Sequence, residues 1–270
     1  MKTIIVIPAR YGSERFPGKP LALIAGKSML HRVCELALNA ARSVNIEVEV
    51  LVATDDTRIM NHVEELGVEA VMTPEHCKTG SDRILSAISQ LSDQPDYVVN
   101  LQGDAPLTPP HFVEAILKEL HSNETAQWVT PVTQLSWQEL DLFRINKQST
   151  PFSGTTVILD AQDQTIWFSK NILPAIRNEL KLREESSDSP VFRHIGIYGS
   201  TLKMLQTFAT LKQSPYELLE GLEQLRLLEN GFRIKAVKVH YGDHPAMSGV
   251  DTPEDAKRAE ELIINYQASP

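Results

Sequence analysis

Residues 8–20 read Pro-Ala-Arg-Tyr-Gly-Ser-Glu-Arg-Phe-Pro-Gly-Lys-Pro, placing Arg10, Arg15 and Lys19 beside Gly12 and Gly18 in one short stretch. Glycines let backbone N–H groups approach phosphate oxygens, and Arg and Lys offset several negative charges at once. A triphosphate has the charge density that would match such a loop; a solvated basic turn is the plainer alternative. Two better-known phosphate loops are excluded. A Walker loop needs four residues between its glycines and Ser or Thr after its lysine. Here five residues separate Gly12 from Gly18, and Pro20 follows Lys19. The dinucleotide spacing Gly-x-Gly-x-x-Gly occurs nowhere, which disfavours a NAD-dependent oxidoreductase.

The elements around the loop have the pattern needed to hold it still. Residues 3–7 (TIIVI) form a continuous apolar, β-branched run, as in a strand buried on both faces of a parallel sheet. From Ser28 the residues Met29, Leu30, Val33, Leu36 and Ala37 recur at helical spacing. Residues 48–53 read as a strand, followed by a helix through Ile59, Val63 and Leu66 that stops at Gly67. A strand at 68–72, a helix at 81–91 and a strand at 97–101 follow, the last delivering Gln102-Gly103-Asp104. This alternation predicts an α/β fold, a doubly wound, mostly parallel sheet with helices on both faces and its ligand crevice at the strands' carboxyl ends.

After about residue 125 the pattern becomes richer in strands, at 128–133, 155–159, 165–168 and 195–198. Residues 178–190 are charged and serine-rich and read as a surface loop. Helices at 203–211 and 218–229 precede a strand at 233–239. The final helix opens at Asp251-Thr252-Pro253-Glu254, where an aspartate ordinarily serves as a cap.

The totals narrow the chemistry. With 26 Lys plus Arg against 35 Asp plus Glu among 270 residues, the net charge is −9. So acidic a surface repels phosphate backbones, and no nucleic-acid partner is expected. Cys34 and Cys77 lie far apart and form no Cys-x-x-Cys pair, as expected of reduced thiols. The first apolar run is too short for a membrane span or a signal-peptide core. A cytoplasmic protein with no membrane partner is the expectation.

The pattern Pro-Ala-Arg-x-x-Ser-x-Arg-x-Pro-Gly-Lys-Pro-Leu resembles the N-terminal signature of the CMP-sugar synthetases, and of the CMP-Kdo synthetase (3-deoxy-manno-octulosonate cytidylyltransferase) family in particular. The resemblance continues through Ala53-Thr54-Asp55-Asp56, Thr79-Gly80-Ser81-Asp82-Arg83 and Asn100-Leu101-Gln102-Gly103-Asp104. It extends to Arg193-His194-Ile195-Gly196-Ile197-Tyr198, Leu222-Glu223-Gln224-Leu225-Arg226 and residues 249–255. It implies a single Rossmann-like nucleotidyltransferase domain. Residues 1–125 would mainly bind CTP, 126–235 would form a smaller mixed β-rich part for sugar binding and dimerisation, and 236–270 would return to the main sheet.

The reaction implied is transfer of CMP from CTP to the anomeric hydroxyl of an acidic eight- or nine-carbon sugar, for lipopolysaccharide or capsule synthesis. By resemblance Asp104 and Asp251 hold Mg2+ and are catalytic together with Lys19, although Asp251 could also be a cap. Arg10, Arg15 and Lys19 would hold the triphosphate. Pro8, Ala9, Ser13, Gly80, Ser81, Arg83 and Gln102 would complete the nucleotide site, with a buried amide as the plainer alternative for Gln102. Lys170, Arg193, His194, Tyr198, Glu223 and Gln224 match positions near the sugar, a structural histidine being the alternative for His194. His240 and His244 sit four apart with no third ligand in view and are not expected to hold metal.

The chain departs from the family pattern chiefly on the sugar side. Ala105 stands where an acid usually follows Gln-Gly-Asp, Lys170 replaces an arginine, Ala175-Ile176-Arg177 replaces Trp-Asp-Arg, and Thr155-Thr156-Val157 replaces Val-Lys-Val. Replacing Arg by Lys loses a planar fork. The sugar could therefore be Kdo, its amino variant or a sialic-acid-like acid, and a non-catalytic nucleotide-binding relative is the remaining alternative. A homodimer is expected from the resemblance alone.

Overall fold

The computed structural model describes residues 1–13, 15–77, 79–247 and 249–268. The chain begins with β1 (Thr3–Ala9), a 3-10 turn (Lys19–Leu21), the hairpin β2 (Leu23–Ile24) and β3 (Lys27–Ser28), and α1 (Met29–Ser43). Next come β4 (Val48–Thr54), α2 (Thr57–Glu65), β5 (Glu69–Met72), α3 (Gly80–Ile88), β6 (Tyr97–Asn100) and α4 (Pro110–Ser122). The middle holds β7 (Trp128–Ser136), α5 (Trp137–Ser149), β8 (Thr156–Leu159), β9 (Thr165–Ser169), α6 (Glu179–Glu185) and β10 (Asp188–His194). It closes with β11 (Tyr198–Thr201), α7 (Leu202–Thr210), α8 (Pro215–Glu220), α9 (Leu225–Glu229), β12 (Lys235–Lys238) and α10 (Pro253–Ala268).

One ten-stranded sheet runs β5-β4-β1-β6-β11-β7-β10-β8-β9, with β12 beside β7. Its first four strands are parallel. Beyond β6 the ladders are antiparallel apart from β12 on β7. The expected doubly wound parallel sheet is thus the first wing, and the β-rich part continues the same sheet. In β1, Ile5 and Ile7 join one apolar core with α1, α2 and α4, while Ile4 and Val6 join the other with α3, α7 and α9. Burial on both faces explains why this strand reads as unbroken apolar sequence. Among the described residues no helix is long and apolar enough to cross a membrane.

Three expected elements differ. Residues 195–198 are mainly the corner between β10 and β11, because Ile195 and Ile197 are buried on either side of an exposed Gly196 and so mimic strand alternation. Residues 178–190 are not a loop. They contain α6 and the start of β10, held where Arg183 pairs with Glu179 and Asp141 (both 2.7 Å) and lies 4.6 Å over the Trp137 ring. The helix expected at 218–229 is two, α8 and α9, divided at Gly221, whose φ of 63° no ordinary helix accommodates. Helices α4 and α5 and the β2–β3 hairpin were not foreseen.

Candidate functional site

The loop after β1 is held from within and from the side. Tyr11 O accepts from Ser13 N (2.9 Å) and Gly18 N (3.1 Å), folding the loop back on itself. Gly18 has φ 71° and lies under the Tyr11 ring, where a Cβ would stand 3.1 Å from the hydroxyl. Over that ring sits the Arg58 guanidinium, 3.4 Å from its centroid, itself bonded to Asp56 at 2.9 and 2.6 Å. The loop after β6 meets it from below: a Cβ on Gly103 would fall 2.7 Å from Pro8 O. Only glycine permits that approach.

These loops enclose a cavity of about 450 Å³. Pro8, Ala9, Arg10, Ser13, Arg15 and Lys19 line one side, and Gly80, Arg83, Gln102, Asp104 and Asp251 are among the residues lining the rest. Ser81, expected among them, is buried in the first turn of α3 and is not part of the wall. That helix begins with a capping box between Thr79 and Asp82, so its positive end faces the cavity at Gly80. Arg83 is buried and committed, donating to Thr73 Oγ1 and Asp55 Oδ2, each at 2.6 Å. Gln102 Nε2 donates to Asn100 Oδ1 at 3.2 Å, so its amide is partly engaged.

Asp104 and Asp251, 147 positions apart, converge on one ammonium group. Lys19 Nζ donates to Asp104 Oδ2 (2.8 Å), Val250 O (2.9 Å) and Asp251 Oδ1 (3.3 Å). Arg15 reaches the same Asp251 oxygen at 3.2 Å, and Val250 N donates to Asp104 O (2.8 Å), tying the two carboxylate loops together. The cap reading of Asp251 does not hold. Thr252 Oγ1 accepts from Asp255 N (3.2 Å) and Asp255 Oδ2 accepts from Thr252 N (3.0 Å), so the cap of α10 is Thr252. The Asp251 carboxylate is left to the cavity.

None of the sugar-side residues lines this cavity. Tyr198 opens β11 in register with Asn100, Arg193 and His194 end β10, Lys170 follows β9, and Glu223 and Gln224 lie between α8 and α9. His194 Nε2 is 2.9 Å from Thr130 Oγ1, and that hydroxyl donates to Ile197 O at 2.8 Å. His194 is therefore the Nε2–H donor with Nδ1 open as an acceptor. Burial, and then the Lys170 charge, push it from 6.5 to about 3, so it is neutral. Its ring lies 5.0 Å from Phe168 and 5.5 Å from Tyr198, whose phenol burial pushes up. Lys170 is half-buried, and burial lowers its pKa. Arg193 lies 5.7 Å over the Phe143 ring. Glu223 is exposed, whereas Gln224 is 4% exposed and its Nε2 has no partner among the described residues.

Residues 4–235 match the cytidylyltransferase family profile. The chain belongs to that family. A relative from Maricaulis maris named 3-deoxy-manno-octulosonate cytidylyltransferase is 43% identical over 263 residues, 97% of each chain. The cytidylyltransferase from Shewanella pealeana named for 8-amino-3,8-dideoxy-manno-octulosonate is 41% identical over 263 residues, 96% of this chain and 98% of its own. Among solved structures, a CMP:2-keto-3-deoxy-manno-octonic acid synthetase complexed with CTP matches with TM-score 0.81 and 33% identity, covering 98% of this chain and 99% of that one.

Sequence reasoning passed over several residues of this cytidylyltransferase site. Cys77, Thr79 and Gly103 line the cavity, and Tyr11 and Arg58 brace its loop. Arg58 was findable in principle, two positions after the matched Asp56 at the start of a helix. Among the described residues His240 and His244 lie in no group of three or more His, Cys, Asp or Glu that could hold a metal ion. His240 instead offers its carbonyl to His111 at 2.8 Å, and His244 stacks on Tyr266.

Proposed function

We propose that this cytidylyltransferase joins CMP from CTP to the anomeric hydroxyl of an acid sugar of the 3-deoxy-manno-octulosonate class, with pyrophosphate leaving. The observation that carries the reading is the meeting of Asp104, Asp251 and Lys19 at the wall of a cationic cavity. Two anions must be brought together at the α-phosphorus, so charge has to be offset where the bond forms. Arg10, Arg15 and Lys19 neutralise the triphosphate, and the first turn of α3 presents N–H groups to it. Arg83 and Gln102 position the base end; Arg83 does so through its fixed bonds rather than as a free cation.

Asp104 and Asp251 would hold Mg2+. Their hard carboxylate oxygens fit an ion that takes one or two carboxylates and draws its remaining ligands from water and substrate phosphates. When bound, the ion lowers the pKa of the attacking hydroxyl and offsets charge on the phosphate. In the described arrangement Lys19 keeps the two carboxylates together against their repulsion. On the sugar side, Gln224 Nε2, which has no partner among the described residues, supports a ligand acceptor there, since buried donors are rarely left unpaired. His194 Nδ1 adds an acceptor for a sugar hydroxyl.

The test is pyrophosphate release by the purified chain with CTP, Mg2+ and 3-deoxy-manno-octulosonate, run beside other nucleotides and other acid sugars. Turnover with CTP and this acid is expected; inertness toward every acid sugar ends the reading. A homodimer through the antiparallel wing is part of the proposal, supported by exposed Leu142, Ile145, Phe152 and Leu180, and sedimentation measures it. The free thiols of Cys34 and Cys77 support a cytoplasmic setting.

A further inference from the structure

Three cations gather on the antiparallel wing, with one carboxylate facing them. Lys147, near the end of α5, donates to the carbonyls of Pro151 (3.0 Å), Ser153 (2.7 Å) and Gly154 (3.4 Å). Its ammonium lies 4.8 Å from the centre of the Phe143 ring, over which Arg193 also sits at 5.7 Å. The neighbouring Thr155 accepts from Lys170 Nζ at 3.3 Å, which completes the group. Glu220 faces it, but its oxygens are already engaged by Ser169 Oγ (2.8 Å) and the Lys170 amide (2.7 Å). Burial first, then repulsion by Lys170 and Arg193, lowers the Lys147 pKa.

Among the described residues none of the three has a carboxylate at ion-pair distance, whereas Arg144 and Arg183 on the same wing pair with Glu179 at 2.8 and 2.7 Å. Partly buried positive charge without a counter-charge is unfavourable unless a ligand brings one. The cluster adjoins His194, on which the Lys170 charge bears directly. The relatives named for the hydroxyl sugar and for its 8-amino counterpart are about equally similar to this chain, at 43% and 41% identity, so overall likeness does not choose between the two. The two sugars have nearly the same shape and share the carboxylate. They differ by one positive charge at neutral pH.

We propose that Lys147, together with Lys170 and Arg193, makes this site select an acid sugar without an ammonium group, preferring 3-deoxy-manno-octulosonate over the 8-amino-3,8-dideoxy sugar. The inference rests on the acid-sugar reading above. A surplus of fixed cations attracts the carboxylate of either sugar and repels the extra amine of one, which is specificity by a repulsive element.

The experiment measures kcat/KM for both sugars with the full chain, CTP and Mg2+. The hydroxyl sugar is expected to be favoured by at least about tenfold, and raised salt should compress the ratio. Lys147→Gln should narrow the ratio several-fold without changing KM for CTP, Lys147→Arg should keep it, and Glu220→Gln should widen it. A purely structural role for Lys147 would lower kcat/KM equally for both sugars and leave the ratio alone. That result, or a parent ratio at or below one, overturns the proposal. Should Lys147→Gln not fold, the Glu220→Gln and salt arms decide in its place. Turnover of neither sugar defeats the acid-sugar reading itself, whereas equal turnover of both defeats only the selectivity.

Discussion

The two wings of the sheet hold their polar groups in different ways. On the parallel wing, apart from the buried Arg83–Asp55 pair, polar side chains are presented by loops that backbone contacts have already fixed: Tyr11 O braces the first loop, and Gly103 lies against Pro8 O. On the antiparallel wing, polar groups are part of the core itself. Arg226 is 8% exposed and donates from Nε to Glu217 Oε2 at 2.8 Å, with Glu217 only 3% exposed. The difference is one of solvation: the Arg15–Asp251 pair at the first loop stays largely exposed, whereas the Arg226–Glu217 pair is buried, so that its loss would be felt by the fold itself.

Four substitutions would break or sharpen that contrast. The largest effect is expected from Asp104→Asn, which should lower turnover at least about a thousandfold while leaving the melting temperature nearly unchanged; an active variant would end the carboxylate-pair mechanism. Its affinity for Mn2+, followed by paramagnetic resonance, should fall in parallel. Glu217→Ala should instead act on the fold, costing about 3–5 kcal/mol in denaturant unfolding by leaving Arg226 buried and unpaired. A loss below about 1 kcal/mol would mean that the antiparallel wing is not built on that pair.

A pH series separates the wings more gently. His194 is held at about 3, below its ordinary 6.5, so the unfolded chain takes up this proton first as pH falls. Its contribution to stability is complete above about pH 6.5 and drains away between 6.5 and about 3. His194→Gln should flatten the acid side of the stability curve in that window. An unchanged curve would show that His194 is not buried in its neutral form. The smallest effect is expected from Arg58→Ala, which removes the brace over Tyr11: KM for CTP should rise several-fold with kcat little altered. The opposite split, a lower kcat at constant KM, would assign Arg58 to chemistry rather than to loop position.

The parallel wing was legible because its residues carry their own context. The unbroken TIIVI run announced a strand covered on both faces, and the cations after it could only be a loop. Nine of the ten expected nucleotide-side residues line one cavity, Ser81 being the exception. The antiparallel wing was harder to read. Helix α6 has no fully buried residue and is held by ion pairs across to α5 and by Leu182 against the core beside Trp137, a pattern that looks like a solvated loop when its partner helix is unseen. Lys147 escaped for the same reason, since nothing in the sequence marks a lysine that turns inward onto carbonyls. Asp251 was found, but its freedom from capping depended on Thr252 and Asp255 closing the helix without it.

The ladder that joins β6 to β11 runs from Asn100–Tyr198 to Tyr97–Thr201 without a break. Where two lobes of an enzyme are linked by a hinge, they can swing like jaws. Here the lobes share a continuous backbone mesh, with neighbouring strands about 4.8 Å apart. The parallel and antiparallel wings are therefore expected to keep a constant separation, with motion left to the surface loops. Spin labels placed on α3 and α5 should report one inter-label distance with and without CTP.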